Sequence, residues 1–271
     1  MSRTLLLGAT LALAACAHPA AKTPGVKLED LSWLEAESVL TPEAVVVIPI
    51  GAASKEHGPH LKLSNDARLA AYLTNRVAER ARVVIAPNVP YHYYPAFLEY
   101  PGSTSLRLET ARDLMVDLCR SLSRAGPRRF YALNTGVSTN RALEPAAVEL
   151  AREGILLRYT HLIERLGPLT KGIEQQAGGT HADEIETSML LAIDPAAVEM
   201  KKAVKEYDPV ATKGPLRRRR GEAGSYSPSG VWGDPTLATR EKGEKVLAGL
   251  VEALVLEIEA LRAAALTPPA P

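Results

Sequence analysis

Residues 55–66 contain two carboxylates and two imidazoles, on Glu56, His57, His60 and Asp66. Imidazole nitrogens and carboxylate oxygens are the ligands that suit Zn²⁺, Mn²⁺ or Fe²⁺ in proteins. A surface position explains each histidine on its own, and a helix cap explains Asp66 on its own. Taken together, the four residues favour a metal site.

A second cluster lies at residues 178–188, where His181 follows a pair of glycines at the start of a predicted helix. Glu184 comes three residues later, near the same helical face, and Glu186 comes five residues later. Acidic residues at the start of a helix are ordinarily explained by the helix dipole. Combined with the first cluster, this stretch supplies a base and a third metal ligand.

Five of the scarce aromatic residues lie within residues 91–100. They predict a wall for a small planar substrate, although core packing explains them equally well. A polar turn at residues 134–140 follows a predicted strand and adds hydrogen-bonding groups. The residues predicted to line the substrate pocket are His60, Tyr94, Tyr100, Ser138 and Thr139.

Short apolar runs alternate with helical patterns along most of the chain. Strands are predicted at residues 44–50, 83–86, 130–133 and 155–159. Helices are predicted at residues 66–81, 108–125, 140–153, 183–193 and 236–264. The alternation predicts an α/β fold, a three-layer sandwich in which helices cover both faces of a central, mostly parallel sheet. The loops after the first three strands should then meet at one edge of the sheet, where such folds bind ligands.

The composition fits one globular domain, which we place at residues 28–265. Of the 271 residues, 46% are hydrophobic, and the formal net charge is only +1. This balance gives no reason to expect nucleic-acid binding. The chain contains no glycine-rich phosphate loop, no nucleophile elbow and no Cys-x-x-Cys motif. Four arginines at residues 217–220 indicate a solvated loop, or otherwise an anion site or a membrane-surface patch.

The N-terminus resembles a bacterial lipoprotein leader. A positively charged start precedes an apolar run that is too short to span a bilayer, and the run ends in Leu13-Ala14-Ala15-Cys16. We predict a signal peptide at residues 1–15, lipidation of Cys16 and a tether at residues 16–27. The predicted location is the periplasmic side of the outer membrane, with the lipid as the sole membrane contact. The alternative is an ordinary signal peptide cut near Ala17.

Several motifs resemble those of the creatininase family of metal-dependent amidohydrolases. They are Pro49-Ile50-Gly51, Glu56-His57-Gly58-Pro59-His60-Leu61 with Asp66, Tyr100-Pro101-Gly102-Ser103-Thr104, residues 181–188 and residues 233–239. The motifs keep the family's order along most of the chain. The resemblance implies an α/β sandwich around a mostly parallel sheet, often assembled as a hexamer. It also implies one or two divalent ions and a substrate among cyclic amides, formylated pyrimidines or peptides.

Two positions depart from the family pattern. The family's Glu-x-His motif has a glutamate where this chain has Lys55, and its Asn-Gly-His loop corresponds to residues 134–140, which contain no histidine. In family members with two ions, both lost positions bind the same ion. The resemblance assigns the other ion to His57 and Asp66, with Glu186 as the third ligand. We therefore expect one Zn²⁺, Mn²⁺ or Fe²⁺ ion per chain.

The resemblance also implies roles for the remaining residues of the two clusters. Glu56 is expected as a fourth ligand of the ion or as a partner of one of its ligands. His181 is expected to pass a proton to the leaving nitrogen, with Glu184 as a second catalytic residue. Lys55 would weaken cation binding if it faced the cluster, so we expect it to face away.

The sequence thus predicts a metal-dependent amidohydrolase that cleaves a C–N bond of a small, non-peptide or cyclic amide. Creatinine is not expected as the substrate, because the loop that carries the family's ion ligands differs. One alternative is a binding lipoprotein that keeps the fold and the pocket without catalysis. Another is a metal-dependent enzyme that acts on sugars or lactones. The expected partners are a small-molecule amide and further copies of the chain in a homo-oligomer.

Overall fold

A central sheet of five parallel strands organises the fold. The structure, a computed structural model, describes residues 25–210, 214–221 and 223–266. The strands are β1 (Val26–Lys27), β2 (Val45–Ile50), β3 (Val84–Ile85), β4 (Arg129–Asn134) and β5 (Leu156–Tyr159). Their order across the sheet is β1-β3-β2-β4-β5, and each neighbouring pair runs parallel. The predicted α/β class with a mostly parallel central sheet is confirmed.

Helices cover both faces of the sheet because its central strands are apolar on both faces. The helices are α1 (Trp33–Val39), α2 (Asn65–Ala78), α3 (Leu108–Ser123), α4 (Asn140–Ala151), α5 (Leu162–Thr170), α6 (Glu184–Ile193) and α7 (Arg240–Ala263). In β2, Val45 and Val47 join one core, and Val46 and Ile48 join the other. Helices α2, α6 and α7 pack in the first core, and α3 and α4 pack in the second. This gives the three layers that the sequence predicts.

The predicted strands and helices are present, with ends that shift by a few residues. The last helix begins at Arg240, later than predicted, because the Thr239 side chain accepts a hydrogen bond from the N–H of Lys242 and caps it. The sequence patterns do not predict β1, α1 or α5. Strand β1 pairs with β3 and lies within the stretch predicted as a tether, residues 16–27. The folded domain therefore begins before residue 28.

The loops that follow β2, β3 and β4 meet at the carboxyl edge of the sheet, as predicted. The N–H of Ala53 donates to the carbonyl oxygen of Pro90 at 3.0 Å, which joins the first two loops. Ser138 Oγ donates to the carbonyl oxygen of Tyr93 at 2.8 Å, which joins the second and third loops. These hydrogen bonds hold the three loops around one site.

The segment with four arginines forms a short parallel ladder between β6 (Leu216–Arg217) and β7 (Ser225–Tyr226). Arg217 Nη1 lies 2.7 Å from Glu99 Oε1, and the Arg220 guanidinium stacks over the Tyr226 ring at 4.2 Å. Partners within the chain therefore balance part of this positive charge.

Two further expectations concern the cysteines and the membrane. Cys119 is buried in α3, and burial raises the pKa of its thiol to about 12, which is typical of a core cysteine. Within the described residues, no helix combines the length and the apolar character needed to cross a bilayer. The predicted signal peptide and Cys16 lie outside the described residues, as does most of the predicted tether.

Candidate active site and metal centre

The two clusters predicted from the sequence meet in the structure. The loop after β2 carries His57, and the first residues of α2 and α6 bring Asp66 and Glu186 beside it. His57 Nε2 lies 2.9 Å from Asp66 Oδ1 and 3.4 Å from Glu186 Oε1. The ring of His181 completes the group, with 5.1 Å between its centroid and that of His57. Residues from distant parts of the chain thus form one site.

The hydrogen bonds of His57 decide which of its nitrogens faces the carboxylates. Its Nδ1 lies 2.8 Å from the carbonyl oxygen of Lys55, which can only accept, so Nδ1 carries the proton. In the neutral ring the lone pair is then on Nε2, which faces the oxygens of Asp66 and Glu186. Nε2 either carries a second proton and donates to Asp66 Oδ1 at 2.9 Å, or offers its lone pair to a cation that lies among these atoms. A histidine whose second nitrogen donates to a backbone carbonyl is the usual arrangement of a metal ligand.

Both oxygens of Glu186 are held in place. Asn65 Nδ2 donates to Oε1 at 3.0 Å, and the backbone N–H of Ala182 donates to Oε2 at 2.7 Å. Ala182 has a φ of +49°, a left-handed conformation that strains a residue other than glycine and occurs most often at functional sites. Burial alone would raise the pKa of Glu186, but His57 and His181 hold it below its ordinary value. The ionised carboxylate is therefore oriented for a cation. Nothing in the sequence patterns indicated this role of Asn65.

His181 forms a buried pair with Glu56. Its Nε2 lies 3.0 Å from Glu56 Oε2, and the Phe97 ring packs against it with 4.4 Å between the ring centroids. Burial alone would lower the pKa of His181, but the charge of Glu56 and the hydrogen bond to it raise that pKa above its ordinary value. Gly230 leaves room for the carboxylate, since it has a φ of +84° and a Cβ there would collide with Glu56 Oε1. The pair therefore favours the protonated form of the imidazole.

Lys55 faces the cluster, contrary to our expectation. Its Nζ lies 2.7 Å from Asp66 Oδ2, and its side chain is only 6% exposed. Nζ also lies 4.8 Å from the centroid of the Phe97 ring and 5.6 Å from that of Tyr94. Burial alone would raise the pKa of Asp66, but the Lys55 ammonium and the His57 imidazole hold it far below its usual range. The expectation failed because a buried carboxylate needs a cation, and aromatic faces can accommodate an ammonium.

Glu184 lies outside this cluster, and its contacts do not fit the catalytic role that we predicted. Its fully buried carboxylate pairs with Lys242 Nζ of α7. It also accepts hydrogen bonds from the N–H groups of Gln175 at 2.8 Å and Gln176 at 2.7 Å. We correct the assignment: Glu184 joins α6, α7 and the preceding loop.

The helical spacing argument for Glu184 failed because His181 is not part of the helix. Helix α6 begins at Glu184, after the Asp183 side chain accepts hydrogen bonds from the N–H groups of Ile185 and Glu186. His181 instead pairs with Trp232 through the backbone, since the Trp232 N–H donates to the His181 carbonyl oxygen at 2.9 Å. His181 and Glu184 therefore do not share a helical face, and Glu184 does not reach the cluster.

A cavity of about 700 Å³ opens beside the cluster. Lys55, His181 and Glu186 form part of its wall. The apolar side chains of α5 that line another part are Leu162, Ile163 and Leu166. A cavity of this size accepts a compact organic molecule and would hold it against the charged residues. The sequence analysis missed the contribution of α5, although its leucines and isoleucine recur at helical spacing; Gly167 and Pro168 interrupt the pattern.

The predicted pocket residues have mixed outcomes. Ser138 borders the cavity, together with Phe97, one of the five aromatic residues of the predicted wall, and Trp232, which we did not assign to it. Tyr94 is 1% exposed and lies behind the Lys55 ammonium rather than in the cavity wall.

The other three predicted pocket residues form internal hydrogen bonds and are corrected to structural positions. The Tyr100 hydroxyl donates to the carbonyl oxygen of Ser227 at 2.6 Å. Thr139 Oγ1 donates to Asn134 Oδ1 at 2.6 Å. His60 Nε2 lies 2.8 Å from Thr187 Oγ1, and burial lowers the pKa of this histidine to about 4.

The donor atoms of the cluster fit a divalent metal ion. One ligand atom each from His57, His181 and Glu186 can be chosen so that all three lie within 4.8 Å of one another. Two ligand atoms bound at about 2.1 Å to a tetrahedral ion are about 3.4 Å apart. His57 Nε2 and Glu186 Oε1 are separated by 3.4 Å. Mixed imidazole and carboxylate donors suit Zn²⁺, Mn²⁺ or Fe²⁺.

Comparison with solved structures supports the fold. A structure titled "Creatininase Mn" aligns with a TM-score of 0.75 at 24% sequence identity, and the alignment covers 89% of this chain and 100% of that chain. Creatininase structures carry manganese or zinc. The two chains therefore share their fold over most of their length.

Comparison of sequences identifies the family. The mycofactocin precursor peptide peptidase of Mycolicibacterium smegmatis is 31% identical over 214 residues, which are 76% of this chain and 81% of the relative. The creatinine amidohydrolase of Pseudomonas putida is 27% identical over 244 residues, 83% of this chain and 93% of the relative. The family model described as "Creatininase: Creatinine amidohydrolase" matches residues 29–258. The chain therefore belongs to the creatininase family of hydrolases.

Proposed function

We propose that this protein hydrolyses an amide C–N bond with one divalent metal ion, held by His57, Asp66 and Glu186. The observation that carries the proposal is the environment of His57 Nε2, which faces carboxylate oxygens at 2.9 and 3.4 Å. A cation among these atoms is attracted by both carboxylates and by the lone pair of Nε2. Membership of a family that includes a creatinine amidohydrolase supports hydrolysis of an amide.

His181 is proposed as the residue that delivers a proton to the leaving nitrogen. When bound, the ion supplies a Lewis acid for the amide carbonyl and lowers the pKa of a water molecule. Glu56 raises the pKa of His181 and fixes its ring through the contact with Nε2. The other nitrogen, Nδ1, lies 3.9 Å from Glu186 Oε2 and hence on the side of the ion site. Nδ1 is therefore the atom that gives up the proton.

The proposed substrate is a compact amide, including cyclic amides, but not creatinine. The cavity of about 700 Å³ has charged residues in one part of its wall and apolar side chains of α5 in another. This lining favours an amide that carries an apolar group. Creatinine is disfavoured because residues 134–140 contain no histidine, unlike the corresponding loop of the family.

A second candidate function is removal of residues from the end of a peptide. Two observations favour it: the cavity exceeds what a single small ring fills, and one relative is named a precursor peptide peptidase. We do not propose a non-catalytic binding protein, because His57 lies beside Asp66 and Glu186 and His181 is paired with Glu56.

A substrate screen tests the proposed function. Protein containing residues 17–271, supplied with Mn²⁺ or Zn²⁺, is incubated with cyclic amides, N-acyl amino acids, short peptides and lactones, and the products are identified by mass spectrometry. We expect hydrolysis of an amide and a loss of about hundredfold or more in His181→Asn. His161→Asn is the matched control, because this histidine is 43% exposed at the surface. Hydrolysis of lactones alone, or equal rates in the two variants, would contradict the proposal.

A further inference from the structure

We propose that the ammonium group of Lys55 stands in for a second cation, so that the site binds one divalent ion rather than a pair. The inference rests on the proposed function, because it concerns the same site. In this role Lys55 is a buried positive charge at the site, and it is neither an exposed lysine nor a ligand of the ion.

The two oxygens of Asp66 show how the site is divided. Oδ1 lies 2.9 Å from His57 Nε2, and Oδ2 lies 2.7 Å from Lys55 Nζ. On the His57 side, donor atoms of Asp66 and Glu186 face an imidazole lone pair and are available to an ion. On the Lys55 side, the ammonium is already in direct contact with the carboxylate, which leaves no space between them for a metal ion.

Lys55 is held in this place by its surroundings. Its backbone N–H donates to the carbonyl oxygen of Leu63 at 3.0 Å, and its own carbonyl oxygen accepts from His57 Nδ1 at 2.8 Å. The aromatic faces of Phe97 and Tyr94 lie 4.8 and 5.6 Å from Nζ. The residue that orients His57 through its backbone therefore places a fixed positive charge beside Asp66.

The charge balance of the cluster favours a single ion. Glu56, Asp66 and Glu186 contribute three carboxylates, and Lys55 and the protonated His181 contribute two positive charges, which leaves a net charge of −1 when His57 is neutral. One divalent ion brings the cluster to +1, whereas two would bring it to +3, a buried excess of positive charge that is costly. The carboxylate of Asp183 serves the start of α6, where its Oδ1 accepts hydrogen bonds from the N–H groups of Ile185 and Glu186.

Metal stoichiometry tests the inference without reference to activity. Wild type, Lys55→Glu and Lys55→Met are dialysed against Mn²⁺, and manganese per chain is measured by elemental analysis and by electron paramagnetic resonance. We expect one magnetically isolated ion in the wild type. Lys55→Glu replaces the ammonium with a second carboxylate beside Asp66, so we expect two ions with a spin-coupled spectrum, since paired ions lie about 3.5–4 Å apart.

Lys55→Met keeps the test decisive if the glutamate variant does not fold. Removal of the nearby positive charge should tighten binding of the first Mn²⁺ by about tenfold or more, measured by calorimetry. Lys62→Met is the matched control, because Lys62 lies in the same loop, is 46% exposed and pairs with Glu199. Its affinity for Mn²⁺ should equal that of the wild type.

The outcomes separate the inference from the proposed function. Two ions in the wild type, a single ion in folded Lys55→Glu, or unchanged affinity in Lys55→Met would overturn the role of Lys55 and leave amide hydrolysis standing. The absence of any bound ion in wild type and variants would overturn both. One ion in the wild type without hydrolysis of any amide would refute the proposed function alone.

Discussion

Single hydrogen bonds decide what each imidazole of the site can do. His57 donates from Nδ1 to a backbone carbonyl, so its Nε2 offers a lone pair to an ion. His181 has a carboxylate at Nε2, so it gains a proton rather than losing one. Two histidines whose ring centroids are 5.1 Å apart are thus prepared for different tasks. The difference comes from their partners and not from their sequence neighbours.

Glu56→Gln should shift the pH dependence of hydrolysis. A proton donor works only while it is protonated, so activity falls as the pH rises through the pKa of His181. Glu56 raises that pKa, and removal of its charge should lower it. We expect the alkaline limb of the kcat profile to move to lower pH by about one unit. A limb that stays in place or moves to higher pH would mean that Glu56 does not tune His181.

The residue types of the site could be predicted from the sequence, but the directions of their side chains could not. His57, Asp66 and Glu186 come together as expected, whereas Glu56 pairs with His181 rather than with the expected ion ligands. Lys55 turned inward because burial of Asp66 and the faces of two aromatic rings, both results of tertiary packing, make a place for an ammonium. A spacing pattern contains no information about that packing.

At the level of elements, the start of α6 is the part that holds the site together. Asp183 caps the helix, Ala182 donates to Glu186, and Glu184 pairs with Lys242 of α7. The first turn of α6 therefore carries both the candidate ion ligand Glu186 and the structural ion pair of Glu184 with Lys242.

Glu184→Gln should lower the stability of the fold, whereas Glu186→Gln should abolish binding of the ion. Loss of the Glu184 charge leaves Lys242 as a buried unpaired cation, so we expect the free energy of unfolding to fall by about 3 kcal/mol while the folded protein still binds its ion. Glu186→Gln should retain most of the stability and lose the ion. Urea unfolding and metal analysis of both variants provide the measurement. A Glu184→Gln variant of normal stability without hydrolytic activity would restore the catalytic assignment that we corrected.

The longer elements follow from periodicity, whereas the short ones do not. β2 is an apolar run buried on both faces, and α3 has a continuous apolar stripe. β1 has two residues and gains its stability from pairing with β3, so no local pattern marks it. α1 had a usable signal that we did not apply: Ser32 and Glu35 form a capping box.

At the level of the whole molecule, the parallel sheet explains why residues from three loops converge. Strands β2, β3 and β4 are adjacent and parallel, so their following loops reach the same edge. This consequence of topology could be derived from the sequence alone. The depth of the cavity could not, because it depends on α5, which the sequence patterns did not indicate.

Cys16→Ser tests the proposed lipid anchor. If Cys16 carries a lipid, the full chain expressed in a Gram-negative host should be in the membrane fraction and incorporate labelled palmitate. The variant should lose the label and shift away from the membrane fraction, because the net charge of +1 gives little electrostatic attraction to a membrane. Equal fractionation of wild type and variant would argue for an ordinary signal peptide. The native mass of the Cys16→Ser protein, once it is released from the membrane, would show whether the chains assemble as the expected hexamer.

The central claim is that His57, Asp66 and Glu186 hold a metal ion, and elemental analysis of the purified protein tests it most directly. Residues 17–271 are produced as wild type, as His57→Gln with Asp66→Asn, and as the surface control His161→Gln. We predict about one Mn, Zn or Fe per chain in the wild type and the control, and none in the double variant. A folded wild type that binds no ion under any supplementation, or a double variant that keeps its ion, would contradict the claim.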